Sequence, residues 1–403
     1  MRVFTLVTPA DAMARMFDAM ERASSYTRLE VVDALDALHR IIAQDIVADV
    51  PMPEFRRSTV DGFAVRSMDL GDDLILAGES VMGELVPGQL GAGQAMKIHT
   101  GGSVPVGSDA ILMVEDSRIS DDGLQLRATR PKLTPGENII EIGEDVHAGA
   151  VVISAGSRLR EAEIGGLAAL GVTRISVYAR PRVAIIASGD EVIPPSEKPR
   201  AGQVRDVNSY TVGNLVRANG GIPVYYDIVR DDPSTFMRTA ETAHAECDML
   251  IFMAGSSVSE RDHTPDVVAK LGNPGVLAHG IAFRPGKPTL FAVCGGKPIM
   301  GLPGNPVSAL VTARLFATKI IWKIQGATRP PIESEVSARL SVAMASPKNL
   351  EHWFGVKLDG DQCVPVLAKS NLIFSLTRAD GMVCVPIGMD HLEAGSTVKV
   401  RLF

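Results

Sequence analysis

Residues 181–325 alternate short apolar runs with amphipathic segments, and this alternation restricts the fold more than any other feature of the chain. Val183–Ala187 and Asp248–Met253 are typical of buried strands, and Asn208 and Asp232 stand where helices are expected to begin. Strands that alternate with helices in this way form a parallel sheet covered on both faces. We therefore predict a doubly wound α/β domain over residues 181–328.

The N-terminal region predicts helices. Thr8 followed by Pro9 is typical of a helix start, and apolar residues then recur on one helical face. Apolar residues at helical spacing predict a second helix at about residues 33–44, namely Leu35, Leu38 and Ile42. Residues 148–177 are apolar and partly helical, and we expect them to pair with the N-terminal helices. A discontinuous linker domain is thus predicted over residues 1–45 and 146–180.

Two further regions predict β structure. Residues 46–145 contain short β-like runs between Gly and Pro turns, which is typical of a compact β domain inserted in the linker domain. After Arg329-Pro330-Pro331 the pattern alternates again, which predicts a small β domain over residues 329–403. The prediction is therefore a multidomain chain of α/β plus β class.

Composition excludes several function classes. The chain of 403 residues has 47 acidic and 40 basic residues, a net charge of −7, which argues against nucleic acid as a partner. No apolar run approaches the ~18 residues needed to cross a membrane. The four cysteines form no C-x-x-C pair, so we expect neither a zinc site nor a disulfide framework, and we expect a reducing cytoplasm.

Four loops follow the carboxyl ends of the predicted α/β strands, where ligands bind in such sheets. They are residues 188–191, 230–232, 255–262 and 302–306. Helix-start amides at Gly304 and Asn305 suit an anion, and carboxylates at Glu191, Asp232 and Asp262 suit Mg²⁺. The alternative is that the aspartates only cap helices and the glycines only turn the chain.

Cations and small residues mark three other turns. Arg284-Pro285-Gly286-Lys287-Pro288 places two cations around a rigid turn, which suits a phosphate or another oxyanion, or is simply a solvated turn. Ser58–Ala64 and Thr100–Gly102 either let the backbone approach a ligand closely or only form tight turns.

Taken together, these motifs resemble the MoeA/gephyrin E-domain family of molybdopterin molybdenumtransferases. The similarity follows the family's motifs in order along nearly the whole chain, at Ser58–Ala64, Ile98–Pro105 with Gly107–Ala110, Gly143–Asp145, Ser188–Glu191, Asp206 with Asn208, Arg284–Pro288 and Leu302–Ala309. The resemblance implies a linker domain, an inserted β domain, a MogA-like α/β domain that binds molybdopterin, and a C-terminal β-barrel.

The resemblance also implies a reaction. Family members insert molybdate into adenylylated molybdopterin and release AMP with Mg²⁺, in homodimers whose site lies between the α/β domain of one subunit and the inserted domain of the other. The cofactor would then pass to acceptor enzymes of molybdenum cofactor synthesis. On this basis the expected catalytic carboxylates are Asp61, Asp145, Glu191, Asp232 and Asp262, and the last three would hold Mg²⁺.

The expected substrate-binding residues combine the motif glycines, small hydroxyl residues and two cations. They are Thr100, Gly101, Ser188, Gly189, Asp190, Asp206, Gly255, Ser257, Arg284, Lys287, Pro303, Gly304, Asn305, Ser308 and Ser370. Of these, Ser308, Ser370 and Arg284 would hold molybdate near the dithiolene sulfurs.

Several positions depart from the family pattern. Ala254 and Ser259 replace glycines of its glycine-rich loop, and Gly280 and Ile140 stand where many members carry Lys and Arg. An arginine-bearing stretch of the C-terminal domain, R-x-E-F-x-R, has no Arg in this chain between Lys348 and Val356. Two alternatives to the molybdenumtransferase therefore stay open: a non-catalytic molybdopterin-binding or scaffold protein, and a tungstate-inserting variant.

Overall fold

The computed structural model describes residues 6–23, 28–253, 263–329, 332–367 and 369–403. The chain divides into two compact units. One unit comprises Met1–Ala43, Gly156–Glu161 and Arg174–Phe403, and the other comprises Gln44–Ala155 and Ala162–Thr173. Among the described residues, no helix is both long enough and apolar enough to span a membrane.

The helices of the described residues lie mainly in the larger unit. They are α1 (Pro9–Ala23), α2 (Glu161–Ala169), α3 (Asn208–Ala218), α4 (Pro233–Glu246), α5 (Thr264–Leu271), α6 (Pro306–Thr312) and α7 (Thr318–Ile324). A π-helical turn, Ala313–Ala317, joins α6 to α7. The predicted start of α1 is confirmed, since the hydroxyl of Thr8 accepts a hydrogen bond from the Asp11 amide at 3.1 Å.

The second predicted helix is wrong. Residues 34–36 form only a single 3₁₀ turn, capped by the Asp33 carboxylate, which accepts from the Leu35 amide. His39 then adopts a φ of 65°, which a right-handed helix cannot contain. Leu35 is left 85% exposed, so the apolar spacing that predicted a helix does not reflect a buried face.

Most of the regular structure between α1 and residue 180 consists of short strands. They are β1 (Leu29–Asp33), β2 (Ile46–Val47), β3 (Arg57–Ser58), β4 (Gly62–Val65), β5 (Leu74–Glu79), β6 (Gln94–Ile98), β7 (Ala110–Met113), β8 (Ser117–Ile119), β9 (Gln125–Ala128), β10 (Ile139–Ile140), β11 (Val151–Ile153) and β12 (Arg174–Tyr178). The smaller unit contains a sheet of order β7-β4-β6-β5-β9-β8, antiparallel except for β5 with β6. One face of this sheet covers a core that includes Phe63, Leu112 and Leu126.

The α/β part of the larger unit has a mixed sheet. Its strands are β13 (Arg182–Ala187), β14 (Val192–Ile193), β15 (Val204–Arg205), β16 (Ile222–Tyr225), β17 (Met249–Met253), β18 (Pro274–His279), β19 (Phe283–Arg284), β20 (Leu290–Cys294) and β21 (Lys297–Leu302). The sheet order is β16-β13-β17-β21-β20-β18. The first four strands are parallel, as predicted, whereas β20 and β18 are antiparallel to their neighbours. The Gly295-Gly296 turn between β20 and β21 is too short for a parallel crossover.

Successive residues of the central strands enter two different cores. Val183 and Ile185 of β13 pack on one side of the sheet with α1, α3 and α6, and Ala184 and Ile186 pack on the other side. All of β17 is buried. Burial on both faces explains why these strands appear in the sequence as continuous apolar runs.

The C-terminal strands form a closed barrel and a separate antiparallel pair. They are β22 (Glu335–Leu340), β23 (Met344–Ala345), β24 (Glu351–Asp359), β25 (Gln362–Pro365), β26 (Gly381–Val385), β27 (His391–Leu392) and β28 (Thr397–Leu402). The sheet order β24-β25-β22-β28-β26 closes through a further pairing of β24 with β26. The predicted small β-barrel is therefore confirmed, with a core of aliphatic residues and Cys363.

Gly62→Ala tests the sheet of the smaller unit. A methyl group at Gly62 would collide with the Leu112 carbonyl on β7, and backbone cannot move aside as a side chain can. We expect a loss of about 2 kcal/mol or more in unfolding free energy, at the upper end for overpacking. Urea unfolding followed by circular dichroism measures it, with Gly71→Ala, which enters open space, as the matched control.

Candidate active site

A cavity of about 880 Å³ opens at the carboxyl ends of β13, β17 and β21. We call it the sheet-edge cavity. Its polar or glycine lining residues include Ser188, Gly189, Glu191, Asp206, Asn208, Asp231, Gly304 and Asn305. The structure thus brings together three of the four predicted loops, in the position where open α/β sheets bind ligands.

The Ser188–Glu191 loop brings the Glu191 carboxylate back toward its own backbone. Gly189 has a φ of 136°, and a side chain there would lie 2.8 Å from Glu191 Oε2. Only glycine therefore suits this position. The Asp190 carboxylate accepts a hydrogen bond of 3.3 Å from the Asp231 amide, which links this loop to the one after β16.

Asp206 and Asn208 have local structural partners. The Asp206 carboxylate accepts from the Ser209 amide at 3.0 Å, so Asp206 stabilises the start of α3, which the sequence analysis attributed to Asn208. Asn208 instead donates from Nδ2 to the Gly304 carbonyl at 2.8 Å. Its Oδ1 is buried and has no hydrogen-bond partner within the described parts of the chain.

The Leu302–Pro306 loop is held from a second side by the barrel. Asn305 donates from Nδ2 to the Ser370 hydroxyl at 3.0 Å, and the Val307 amide donates to the Ser370 carbonyl. The Val307 amide is therefore already engaged at the start of α6. The predicted role of Pro303, Gly304 and Asn305 in substrate binding stays a prediction, and the loop itself is rigidly supported.

Asp232 caps α4, as the helix-capping alternative expects, and its assignment to Mg²⁺ stays a prediction. Its Oδ2 accepts from the Thr235 amide and the Ser234 hydroxyl, both at 2.7 Å. Hydrogen bonds from Thr235 and Ser234 lower the pKa of Asp232 to about 2. The carboxylate is therefore ionised at neutral pH, and both hydrogen bonds converge on one oxygen.

Part of the predicted site lies outside the described residues. The segment 254–262 contains Gly255, Ser257 and Asp262. It also contains Ala254 and Ser259, which depart from the family pattern. Within the described ranges, no three or more His, Cys, Asp and Glu side chains form a group that could hold a metal ion. The predicted set of Glu191, Asp232 and Asp262 includes one residue beyond those ranges, so this set stays a prediction.

A second cavity, of about 710 Å³, lies between the Arg284–Pro288 turn, the start of α6 and the barrel strand β24. We call it the barrel-side cavity. Its polar side chains are Arg284, Lys287, Ser308, His352, Lys369, Ser370 and Ser375. Pro288 lines both cavities, so the two lie next to each other. His352 and Lys369 are not among the predicted site residues, because no sequence pattern links the barrel to the α/β loops.

The smaller unit contains the other predicted site residues. Asp61 Oδ1 accepts from the Thr100 amide at 2.8 Å and from its hydroxyl at 3.2 Å, and these bonds lower the pKa of Asp61. Gly101 has a φ of 82° and donates to the Ser58 carbonyl. The two motifs that contain Asp61 and Thr100 are therefore joined directly. Asp145 is exposed.

His99 is a residue of this cluster that the sequence analysis missed. Its Nε2 lies 2.9 Å from Glu79, and its Nδ1 lies 3.6 Å from Asp61. No sequence spacing predicts this position of a histidine between two carboxylates, since Glu79 is on β5 and His99 follows β6. Only the pairing of the strands brings them together.

Comparison with known proteins identifies the family. Models of the MoeA N-terminal region (domains I and II), of a molybdopterin-binding domain and of the MoeA C-terminal region (domain IV) match residues 7–171, 184–323 and 337–403. A molybdopterin molybdenumtransferase of Haemophilus influenzae is 34% identical over 95% of this chain and 96% of its own. The chain belongs to the MoeA family.

Solved structures support the assignment to the MoeA family. A molybdopterin biosynthesis MoeA protein of Pyrococcus horikoshii superposes with a TM-score of 0.86 at 27% identity, covering 99% of this chain and 100% of its own. A molybdopterin molybdenumtransferase of Nostoc is 30% identical over 96% of this chain and 91% of its own. The predicted resemblance and the predicted multidomain fold class are both confirmed.

Two departures from the MoeA pattern have local explanations. Gly280 adopts a φ of 89°, so a lysine here would be strained in this backbone. Ile140 lies on β10 directly opposite Arg57 on β3, so an arginine is present next to the position where many MoeA members carry one. The guanidinium of Arg57 stacks on Phe55 at 4.5 Å.

The pH dependence of stability tests the cap of α4. A carboxylate whose pKa is lowered on folding stabilises the fold above its unfolded pKa of about 3.9, and the effect disappears as pH falls toward about 2. We expect Asp232→Ala to lower the urea midpoint at neutral pH, and by less near pH 3. Asp227→Ala, an exposed aspartate in the preceding loop, is the control. A gap that stays constant with pH would contradict the assignment.

Proposed function

We propose that this protein is a molybdopterin molybdenumtransferase that inserts molybdate into adenylylated molybdopterin and releases AMP. The observation that carries the proposal is the adjacency of two different cavities. The sheet-edge cavity is lined by three carboxylates, by Arg205 and by backbone turns, whereas the neighbouring barrel-side cavity is lined by three cations and by no described carboxylate. A substrate with a pyrophosphate at one end and a metal-binding dithiolene at the other would extend across both.

The sheet-edge cavity would take the nucleotide end with its magnesium. Glu191, Asp232 and Asp262 would hold Mg²⁺, since carboxylate oxygens are the ligands that this ion prefers. Glu191 lines the cavity, and Asp232 is ionised with its hydrogen bonds on Oδ2 alone. Mg²⁺ at this position would offset the negative charge that develops when the phosphoanhydride breaks.

The barrel-side cavity would take molybdate. Arg284 and Lys287 supply positive charge against a dianion, and the Ser308 and Ser370 hydroxyls can donate to its oxygens. Ser370 also accepts the hydrogen bond of Asn305, a lining residue of the sheet-edge cavity. One residue pair therefore connects the place where AMP would leave with the place where molybdate would wait, which couples the two steps by geometry.

We also propose that the protein acts as a homodimer in which the inserted β domain of one subunit completes the site of the other. Asp61, Thr100, Gly101 and Asp145 would be its contributions. Apolar side chains on and after β1 support an association surface, because Leu29, Val31 and Leu35 are all more than half exposed. Cytoplasmic location and transfer of the product to acceptor enzymes complete the proposal, in accord with cysteines that are all free thiols.

Release of AMP from adenylylated molybdopterin tests the proposed reaction. Purified protein with Mg²⁺ should release AMP in a molybdate-dependent manner, and Asp262→Asn should lose turnover while keeping its fold. AMP release that responds to tungstate but not to molybdate would favour the tungstate-inserting variant. Tight retention of the pterin nucleotide without AMP release would favour a non-catalytic binding protein or scaffold.

A matched pair of variants tests the carboxylate in the sheet-edge cavity. Glu191→Gln keeps the size of the side chain but removes its charge, so we expect turnover to fall by about 100-fold or more, as for removal of one electrostatic catalytic group. Glu197→Gln changes an exposed glutamate of the same loop region that does not line the cavity. Equal turnover by the two variants would remove Glu191 from the active site.

Lysine variants test the assignment of molybdate to the barrel-side cavity. Lys287→Ala should raise the molybdate concentration for half-maximal AMP release by about tenfold, the lower end for a hydrogen bond to a charged group. Lys357→Ala, on β24 outside the cavity lining, is the control. An unchanged molybdate requirement in Lys287→Ala would place molybdate elsewhere.

A further inference from the structure

The lining of the barrel-side cavity is cationic although the chain as a whole is acidic. Arg284, Lys287 and Lys369 line it, and among the described residues no carboxylate side chain does. Within the same described part of the chain, none of these three cations forms an ion pair with an acidic residue. The positive charge of this cavity is therefore available to bind an anion from solution.

His352 lies at the wall of this cavity in an unusual environment. It is only 8% exposed, and its ring stacks on Phe354 with centroids 3.8 Å apart. Its Nδ1 is buried and makes no hydrogen bond to any described residue. Buried polar atoms without partners are rare and costly, and His352 is a lining residue of this cavity, so a ligand that reached its ring would improve the local structure.

The surroundings keep the imidazole neutral in the absence of a ligand. Arg284 is the register partner of His352 on β19, and Lys287 and Lys369 face the same cavity. On the other side, β26 places Val385 opposite His352, and Glu351 on its own strand is hydrogen-bonded to the Trp353 indole. Burial first, and then the charge of Arg284, lower the pKa of His352 to about 4.

We propose that His352 is an oxyanion-binding residue of the barrel-side cavity and that its imidazole takes up a proton from solvent when a dianion such as molybdate binds. The dianion removes the repulsion from Arg284 and offers oxygens as hydrogen-bond acceptors, so it stabilises the imidazolium form. The inference rests on the proposed function of this cavity. A protonated His352 would supply a cation at the barrel wall, where this chain lacks the family's arginines.

Proton uptake that accompanies molybdate binding makes the affinity depend on pH, which can be measured. Binding that takes up a proton strengthens as pH falls, by at most tenfold per pH unit for one proton. We expect the affinity for molybdate to rise by several-fold between about pH 7.5 and about pH 6, the range in which a histidine with a ligand-raised pKa titrates. Calorimetry of the full chain in two buffers of different ionisation enthalpy counts the proton directly.

Two variants of His352 separate the roles of its ring. His352→Gln keeps a neutral hydrogen-bond donor but cannot be protonated, so it should bind molybdate without proton uptake and without the rise in affinity at lower pH. His352→Phe should bind more weakly as well as lose the proton uptake. His391→Gln, which changes a histidine of the barrel outside the cavity lining, should behave as the wild type. Sulfate, a dianion throughout this range, separates titration of the protein from titration of molybdate.

The outcomes distinguish the inference from the proposed function. Molybdate binding with unchanged proton uptake in His352→Gln would overturn the role of His352 and leave the oxyanion cavity intact. Binding that is lost in Lys287→Ala but independent of pH in the wild type would do the same. A wild-type protein that does not bind molybdate at all would overturn both. If His352→Phe does not fold by circular dichroism, His352→Gln alone decides the test.

Discussion

The buried parallel pairing of β13 with β17 and of β17 with β21 is the interaction on which the rest of the candidate site depends. These strands are buried on both faces, so their register is strongly specified by packing on each side. The last residues of the three strands, Ala187, Met253 and Leu302, consequently end at one edge. Loops that are more than 100 residues apart in the chain are thereby held beside one cavity.

Side chains outside the sheet then hold those loops in place. Asn208 on α3 holds the Gly304 carbonyl, and Ser370 from the barrel holds Asn305. The same loop is therefore a contact point for the α/β part and for the barrel. This arrangement explains how a small C-terminal domain can belong to a candidate binding site, since its residues complete a wall that begins on another part of the fold.

The two cavities suit different chemical groups of the proposed reaction. Acidic and turn residues of the sheet-edge cavity, with Arg205, suit a phosphate with its divalent cation. The basic residues of the barrel-side cavity form no ion pair with any described residue and suit an oxyanion alone. Membership of the MoeA family supports a molybdopterin-related substrate, and the lining residues of the two cavities suit anions.

The sequence by itself determined the multidomain class, the parallel strands of the α/β part, the C-terminal β domain and the motif residues of the sheet-edge cavity. Local patterns suffice for these features, because a strand buried on both faces and a glycine with positive φ leave direct traces in the chain. The tertiary structure decided what such patterns do not encode. Residues 33–44 form a single 3₁₀ turn and no α-helix, and His39 adopts a left-handed conformation that a right-handed helix cannot contain.

The tertiary structure also decided which residues share a cavity. The Asp206 carboxylate rather than Asn208 accepts from a first-turn amide of α3, because Asn208 is itself the first residue of the helix. His352 and Lys369 meet Arg284 and Lys287 only because the barrel packs beside the α/β loops. Such contacts join segments that are distant in the chain, and no spacing in the sequence reports them.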